Sequence, residues 1–222
     1  MKNRFVMLAI AAVMLTTACK KETTRESNTN VTELSQTGNH EHSTTGESSK
    51  LMASMDDMME KMHNVELSGN SDFDLAAMMQ KHHESAVDMA DILLKSGSDS
   101  EMKQLAQKIK EEQDKEIGDL QKIQDKYKDA AKNYDPKNSK EGLGKAMAND
   151  MKAMMNMPES AHTSIDKEFA VLMMKHHQDG IQMAKTIAQY AKDEKFKAMA
   201  QSIITSQQQD VKVMEQWLEK QS

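Results

Sequence analysis

The sequence predicts an all-α protein: a four-helix bundle made of two repeated helical hairpins, each preceded by a short methionine-rich helix. Three observations predict it. The 222 residues include only two prolines and eight glycines, and the long runs are rich in the helix formers Ala, Lys, Glu, Gln and Met. A shift of 94 residues superposes DLAAMMQKHHESAVDMADI (74–92) on EFAVLMMKHHQDGIQMAKT (168–186), with seven of nineteen positions identical. Apolar residues also recur at helical spacing along both copies.

Taken in order, the chain opens with Lys2 and Arg4, an apolar run from Phe5 to Leu15, and Thr16-Thr17-Ala18-Cys19. This is the pattern of a secretory signal peptide. The run is shorter than the roughly 20 residues that span a bilayer, and no later segment approaches that length. Cys19 is the only cysteine and is placed as in the lipobox of bacterial lipoproteins, with Leu15 one position further back than usual. Lipidation of Cys19 is the preferred reading, and plain signal-peptidase cleavage is the alternative. Residues 1–18 are therefore read as signal peptide and 19–50 as a lipidated, disordered tether, since 20–50 carry almost no large apolar residue. The expected location is the bacterial cell envelope, facing the periplasm or the exterior, with the lipid as the only membrane contact. One cysteine forms no disulfide within the chain, so residues 51–222 depend on packing. Without the signal, 27 basic residues face 35 acidic ones, a balance that disfavours nucleic acid as a partner.

In the first hairpin, Ser71 with Asp74 and Ser98 with Glu101 read as helix-starting pairs, giving helices over 72–95 and 100–133. Asp135-Pro136 ends that hairpin, because proline cannot continue a helix and disfavours it in the residue before. The second copy gives 166–191 and 194–219, starting near the pair Thr163/Asp166. Upstream of the hairpins, Leu51, Met55, Met58, Met59 and Met147, Met151, Met154, Met155 each fall at i, i+4, i+7, i+8, one helical stripe per set.

The histidines stand beside the core stripe. With 100° per residue and Met79 at zero, Leu75, Ala86, Ala90 and Leu93 fall within about 40°, His82 about 60° to one side and His83 about 40° to the other. His176 and His177 repeat this geometry. Polar groups so near an apolar seam need partners, and the second helix of each hairpin offers Gln113 and Glu116, then Gln207 and Asp210, as groups that orient an imidazole. A methionine stripe alone is ordinary core filler. Two histidine pairs at matching positions, each with a carboxylate and an amide, point instead to metal. Thioether sulfur is soft and favours Cu(I) or Ag(I), while imidazole also serves Cu(II), so copper, chiefly Cu(I), is the predicted ion. Met79 precedes His82 by three residues and His83 by four, and so reaches an ion held by either. Met89 lies seven residues beyond His82, about 10 Å along the axis, and does not join Met79 on the same ion. Met55, Met58, Met59, Met151, Met154 and Met155 are auxiliary candidates.

The stretches MMQKHHESAVDMA with EEQDKEI, and LMMKHHQDGIQMA with SQQQDV, resemble the His-His/Met signature of the domain-of-unknown-function 305 family, over residues 72–220 and in two copies. The resemblance implies a ferritin-like four-helix bundle and, since some exported members of the family are copper-binding proteins linked to metal tolerance, copper as the ion. Position by position it carries over Met79, His82, His83 and Met89, then Met173, His176, His177 and Met183. Glycine usually follows the pair at the third position, as Gly180 does; Ala86 takes its place in the first copy.

The expected function is a non-enzymatic copper binder that sequesters the ion or passes it on for copper tolerance, with a copper exporter or chaperone as partner. One alternative is a di-iron oxidase built on Glu60-x-x-His63 and Glu159-x-x-His162, whose separation of 99 residues breaks the 94-residue repeat. The other is a metal-free interaction module. No nucleophile triad, phosphate-binding glycine loop or dinucleotide fingerprint is present.

Overall fold

The computed structural model describes residues 46–159 and 164–221, with the side chains of 47–49 excepted. Cys19, the signal peptide, most of the tether, His162 and Thr163 lie outside this range. Every regular element among the described residues is a helix: α1 (Gly46–His63), α2 (Ser71–Ser96), α3 (Ser100–Tyr127), α4 (Gly142–Met154), α5 (Ile165–Tyr190) and α6 (Glu194–Lys220). The hairpins α2–α3 and α5–α6 pack through α2 against α5, and α3 meets α6. α1 lies across α2 and α5, while α4 rests on α5.

α1 begins at Gly46, five residues inside the segment read as tether. Leu51, Met55, Met58 and Met62 form its buried stripe. Once that stripe is anchored, each residue added upstream gains a backbone hydrogen bond without needing a core contact. Ser54 and Ser85 fix the helix against α2, each hydroxyl donating to the carbonyl of the other.

The helix starts differ by one residue from the expected caps. Asn70, not Ser71, accepts from the amides of Asp72 and Phe73, and Asp99, not Ser98, accepts from those of Glu101 and Met102. Ser164 occupies the cap position of α5. Asp74 does not close a capping box either. Its carboxylate takes the amides of Ser68 and Gly69 and the hydroxyl of Tyr134, because the loop before α2 folds back over the helix start. Gly69 makes that bend with φ of 88°, and a Cβ there would also stand 3.1 Å from Lys132.

α3 ends at Tyr127 rather than at 133. The stretch 125–133 has no apolar stripe to bury, and its final residues are used to hold α2. Asn70 donates its side-chain amide to the carbonyl of Ala131, and Asn133 accepts from the Ser71 amide. Asn133 and Tyr134 then donate their own amides to the Gly69 carbonyl.

The two hairpins also tie each other's turns. The buried carboxylate of Asp166, at the start of α5, accepts from the amides of Ser98 and Asp99 and from the Ser98 hydroxyl in the α2–α3 turn. Asp72, at the start of α2, accepts from the amides of Lys192 and Asp193 in the α5–α6 turn. These positions correspond under the 94-residue shift.

Asp166→Ala leaves two turn amides without an acceptor and is expected to cost about 2–4 kcal/mol in urea unfolding, with Asp72→Ala similar. Exposed Asp56→Ala, as control, should change stability by less than about 0.5 kcal/mol.

Candidate metal centre

α2 carries His82 and His83 one turn beyond Met79, and α5 carries His176 and His177 one turn beyond Met173. Consecutive helical residues diverge by about 100°, and each histidine of a pair is buried because it has its own neighbouring helix to face. His82 and His176 meet across the α2–α5 contact, with ring centroids 3.8 Å apart and planes at 37°. Within each pair the centroids are 6.1 Å apart. His83 turns towards α3, its Nε2 2.9 Å from Oε2 of Glu116. His177 turns towards α6, its Nε2 3.6 Å from Oδ2 of Asp210. All four residues have 0% relative exposure.

Oxygen acceptors settle which ring nitrogen carries the proton. Nε2 of His176 lies 2.9 Å from the carbonyl oxygen of His82, which only accepts, so this nitrogen donates. The carboxylates facing His83 and His177 favour a proton on Nε2 there too, although the first contact is out of line for a hydrogen bond and the second is too long for one. Nδ1 of His83, His176 and His177 then keeps its lone pair, and none of the three has a hydrogen-bond partner; neither has any nitrogen of His82. Oε1 of Gln113 and both amide atoms of Gln207 are buried and unpaired as well. Buried polar atoms are nearly always satisfied. Their concentration around the histidines makes this the place where a ligand would find open donors, and bare imidazole nitrogens are donors that a soft or borderline metal ion accepts. Among the described residues no three His, Cys, Asp or Glu side chains gather into a cage, so an ion held here draws on mixed donors.

Gly180 makes room at this seam. A Cβ on it would lie 2.5 Å from Oε1 of Gln207 and 3.0 Å from Cε1 of His82. A glycine inside a helix costs about 1 kcal/mol relative to alanine, and here that cost leaves space for an imidazole of the other hairpin.

Electrostatics keeps the central pair uncharged. Burial pushes His82 and His176 well below the usual imidazole range, and the neighbouring histidines and Lys175 add to the effect. Burial works to raise the carboxyl of Asp210, but His177 and Lys108 outweigh it and hold the group below its ordinary value. Lys108 comes from α3, 2.6 Å away, and so joins the two hairpins at this acid. Sequence spacing gave no sign of that contact, since the lysine looks like any other on a solvated helix face.

Of the methionines singled out, Met79, Met89, Met173 and Met183 are all buried. Met55, Met58 and Met154 are buried too, and Met59 and Met151 are half-buried. Met155 departs from the expected stripe: α4 stops at Met154, and Met155 follows it, 68% exposed. The buried stripe of α4 is Leu143, Met147, Asp150 and Met154, with an acid at its centre. Glu60 and His63 are exposed, and Nδ1 of His63 lies 2.8 Å from the Met59 carbonyl within its own helix. Glu159 is exposed as well.

The model of the family described as "Domain of unknown function (DUF305)" matches residues 72–218. No curated protein matches the chain. Among solved structures, CopM in an Ag-bound form obtained by soaking is 26% identical with a TM-score of 0.51, covering 67% of this chain and 95% of that one. CopM in the Cu(II)-bound form is 28% identical with a TM-score of 0.51, covering 68% and 97%. CopM in the Cu(I)-bound form, at 24% identity and the same TM-score, covers 68% and 96%.

The neutral pair at the seam sets a pH dependence. Unfolded histidines titrate near pH 6.5 and these two titrate lower, so the unfolded state binds more protons and stability rises with pH. Their contribution is complete above pH 6.5 and is lost as pH falls from there towards the depressed values. Asp150, raised by burial to about 6, and Asp179, also raised by burial, act in the opposite sense. The metal-free domain should lose about 1 kcal/mol between pH 7.5 and 6 in urea unfolding. Joint His82→Gln and His176→Gln replacement should remove that loss.

Proposed function

The chain belongs to the DUF305 family, and on that premise we propose that it is an exported copper-binding protein that holds Cu(I) through imidazole and thioether groups and sequesters it or passes it on. One observation carries the reading: the buried, unpartnered ring nitrogens of His82, His83, His176 and His177 at a single helix seam. The CopM structures with Cu(I), Cu(II) and Ag support it, since they share the helical fold over nearly their whole length. The metal is cargo, and no reaction is assigned to the protein.

The ligands we assign are Met79, His82, His83 and Met89 in the first copy and Met173, His176, His177 and Met183 in the second. Imidazole binds as the neutral base, so a seam that already keeps His82 and His176 unprotonated loses no proton there when the ion arrives. Glu116 and Asp210 act through their histidines, favouring the proton on Nε2 and leaving Nδ1 to the metal. Gln207 offers an amide oxygen near the His82 ring, and Gln113, its counterpart under the 94-residue shift, has a buried, unpaired amide oxygen. Thioethers need no deprotonation and stay available in an oxidising compartment, where a thiol pair would form a disulfide. Lipidation at Cys19 would keep the domain on a membrane of the bacterial envelope, within reach of a copper exporter or chaperone.

Anaerobic Cu(I) titration against a competing chelator tests the proposal. Replacing His82, His83, His176 and His177 by alanine should abolish the tight sites; unchanged affinity and stoichiometry would overturn the reading. Glu116→Ala is expected to weaken Cu(I) binding by about 10–100-fold with helicity retained, as loss of a group that orients a ligating histidine does.

A further inference from the structure

We propose that a cavity lined by Met62, Met78, Met147, Met151, Met154 and Met183 is a second soft-metal site, made of thioethers and separate from the histidine seam; Met183, seven residues beyond His176, is the one assigned ligand that falls to this second ion. The cavity lies between α1, α2, α4 and α5, and its volume of about 10 Å³ has room for one water-sized sphere. Six of its nine lining residues are methionine, against twelve of the 36 buried hydrophobic residues among those described, so methionine is about twice as frequent here as across an already methionine-rich core.

Duplication does not account for the excess. Under the 94-residue shift of the hairpins and the 96-residue shift of the short helices, the counterparts of Met147, Met151, Met154, Met78, Met183 and Met62 are Leu51, Met55, Met58, Leu172, Met89 and Pro158. One side of the pseudo-symmetric molecule has six thioethers where the other has three. Met62 also lies before the stretch 72–218 that the family model matches.

The lining suits a monovalent soft cation. Thioether sulfur prefers Cu(I) or Ag(I) over harder ions. Among the described residues that line the cavity, Asp150 is the only charged one and supplies a single negative charge. It is held by the Thr186 hydroxyl, which donates to Oδ2 at 2.7 Å. The hydroxyl of Tyr134, whose proton goes to Asp74, stands 3.7 Å from the sulfur of Met147 and leaves the sulfur lone pairs free. An open cleft adjoins the cavity, sharing Met62, Met78, Met147 and Met151 with it and carrying His63 and Leu67 among its other lining residues. It gives an ion a way in from solvent. Inside, Met78 precedes His82 by four residues on the same face of α2, so the site lies one helical turn from the seam.

This inference rests on the reading that the chain binds soft copper, and Ag(I), which needs no reductant, is the probe. The variant M62L/M147L/M151L/M154L keeps side-chain volume while removing four sulfurs, and circular dichroism verifies its helicity. Calorimetric titration should show one Ag(I) equivalent fewer than in the wild type. Silver-edge absorption should lose the sulfur-only component and keep the nitrogen one. Unchanged stoichiometry and unchanged sulfur ligation would overturn the proposal. With H82Q/H83Q/H176Q/H177Q the sulfur-only equivalent should persist. If that variant binds no silver while the leucine variant binds as the wild type does, the cavity is not a site and the histidine reading stands. The reverse pattern supports the cavity and overturns the histidine reading. Asp150→Asn should weaken the sulfur-only equivalent about tenfold, and no change in it would remove the carboxylate from the site.

Discussion

The structure depends on a helix contact that has imidazole where a bundle would ordinarily have aliphatic carbon. α2 and α5 pack through His82 and His176, whose rings lie 3.8 Å apart with no solvent exposure. Two charged rings at that distance would repel strongly in a medium of low dielectric, so the contact exists only while both are neutral. Neutral rings buried with three of their four nitrogens unpaired are costly in their turn. Some of the stability that dispersion and apolar burial supply elsewhere in the core is given up here, and a ligand that uses the lone pairs would restore it.

The surrounding elements follow from that contact. Gly180 gives up helix propensity to clear space for His82 and Gln207. Glu116 and Asp210 sit on the outer helices of the hairpins, where each reaches the second histidine of its own copy. Adjacent histidines on one helix would serve poorly as two ligands of one ion, because their directions diverge. In the paired hairpins the divergence has a use: the first of each pair builds the central contact, and the second faces an acid. The twofold likeness weakens at the short helices, where α4 has Asp150 within its apolar stripe and α1 has none in its own.

Much of this was legible in the sequence. The 94-residue repeat, the stripe around Met79 and the positions of Gln113 and Glu116 depend on helical periodicity alone, which survives folding unchanged. The helix over 100–133 was read too long, because the end of α3 is set by Asn133, which leaves the helix to cap α2 sixty residues earlier. Periodicity has no access to such a bond. Met155 was misplaced for a related reason: a stripe says which face is apolar, but not where the helix stops. The tie of Lys108 to Asp210 and the reach of Asp72 and Asp166 into distant turns need the tertiary arrangement, although two aspartates 94 residues apart were visible beforehand. The methionine cavity draws on four helices at once, and no single stripe reveals it.

The reciprocal aspartates make each half of the chain depend on the other. Each hairpin's turn is finished by the first turn of the other hairpin, so a lone hairpin would leave its turn amides open. Two identical hairpins related by a rotational axis would satisfy the same bonds, Asp72 of one closing the turn of its twin and the reverse. The tandem chain therefore has the bonding pattern of a self-complementary dimer joined end to end. Within one chain the halves need not match, and they differ both at the seam, where Gly180 corresponds to Ala86, and in the short helices, where Asp150 corresponds to Ser54, while the two closing aspartates are kept.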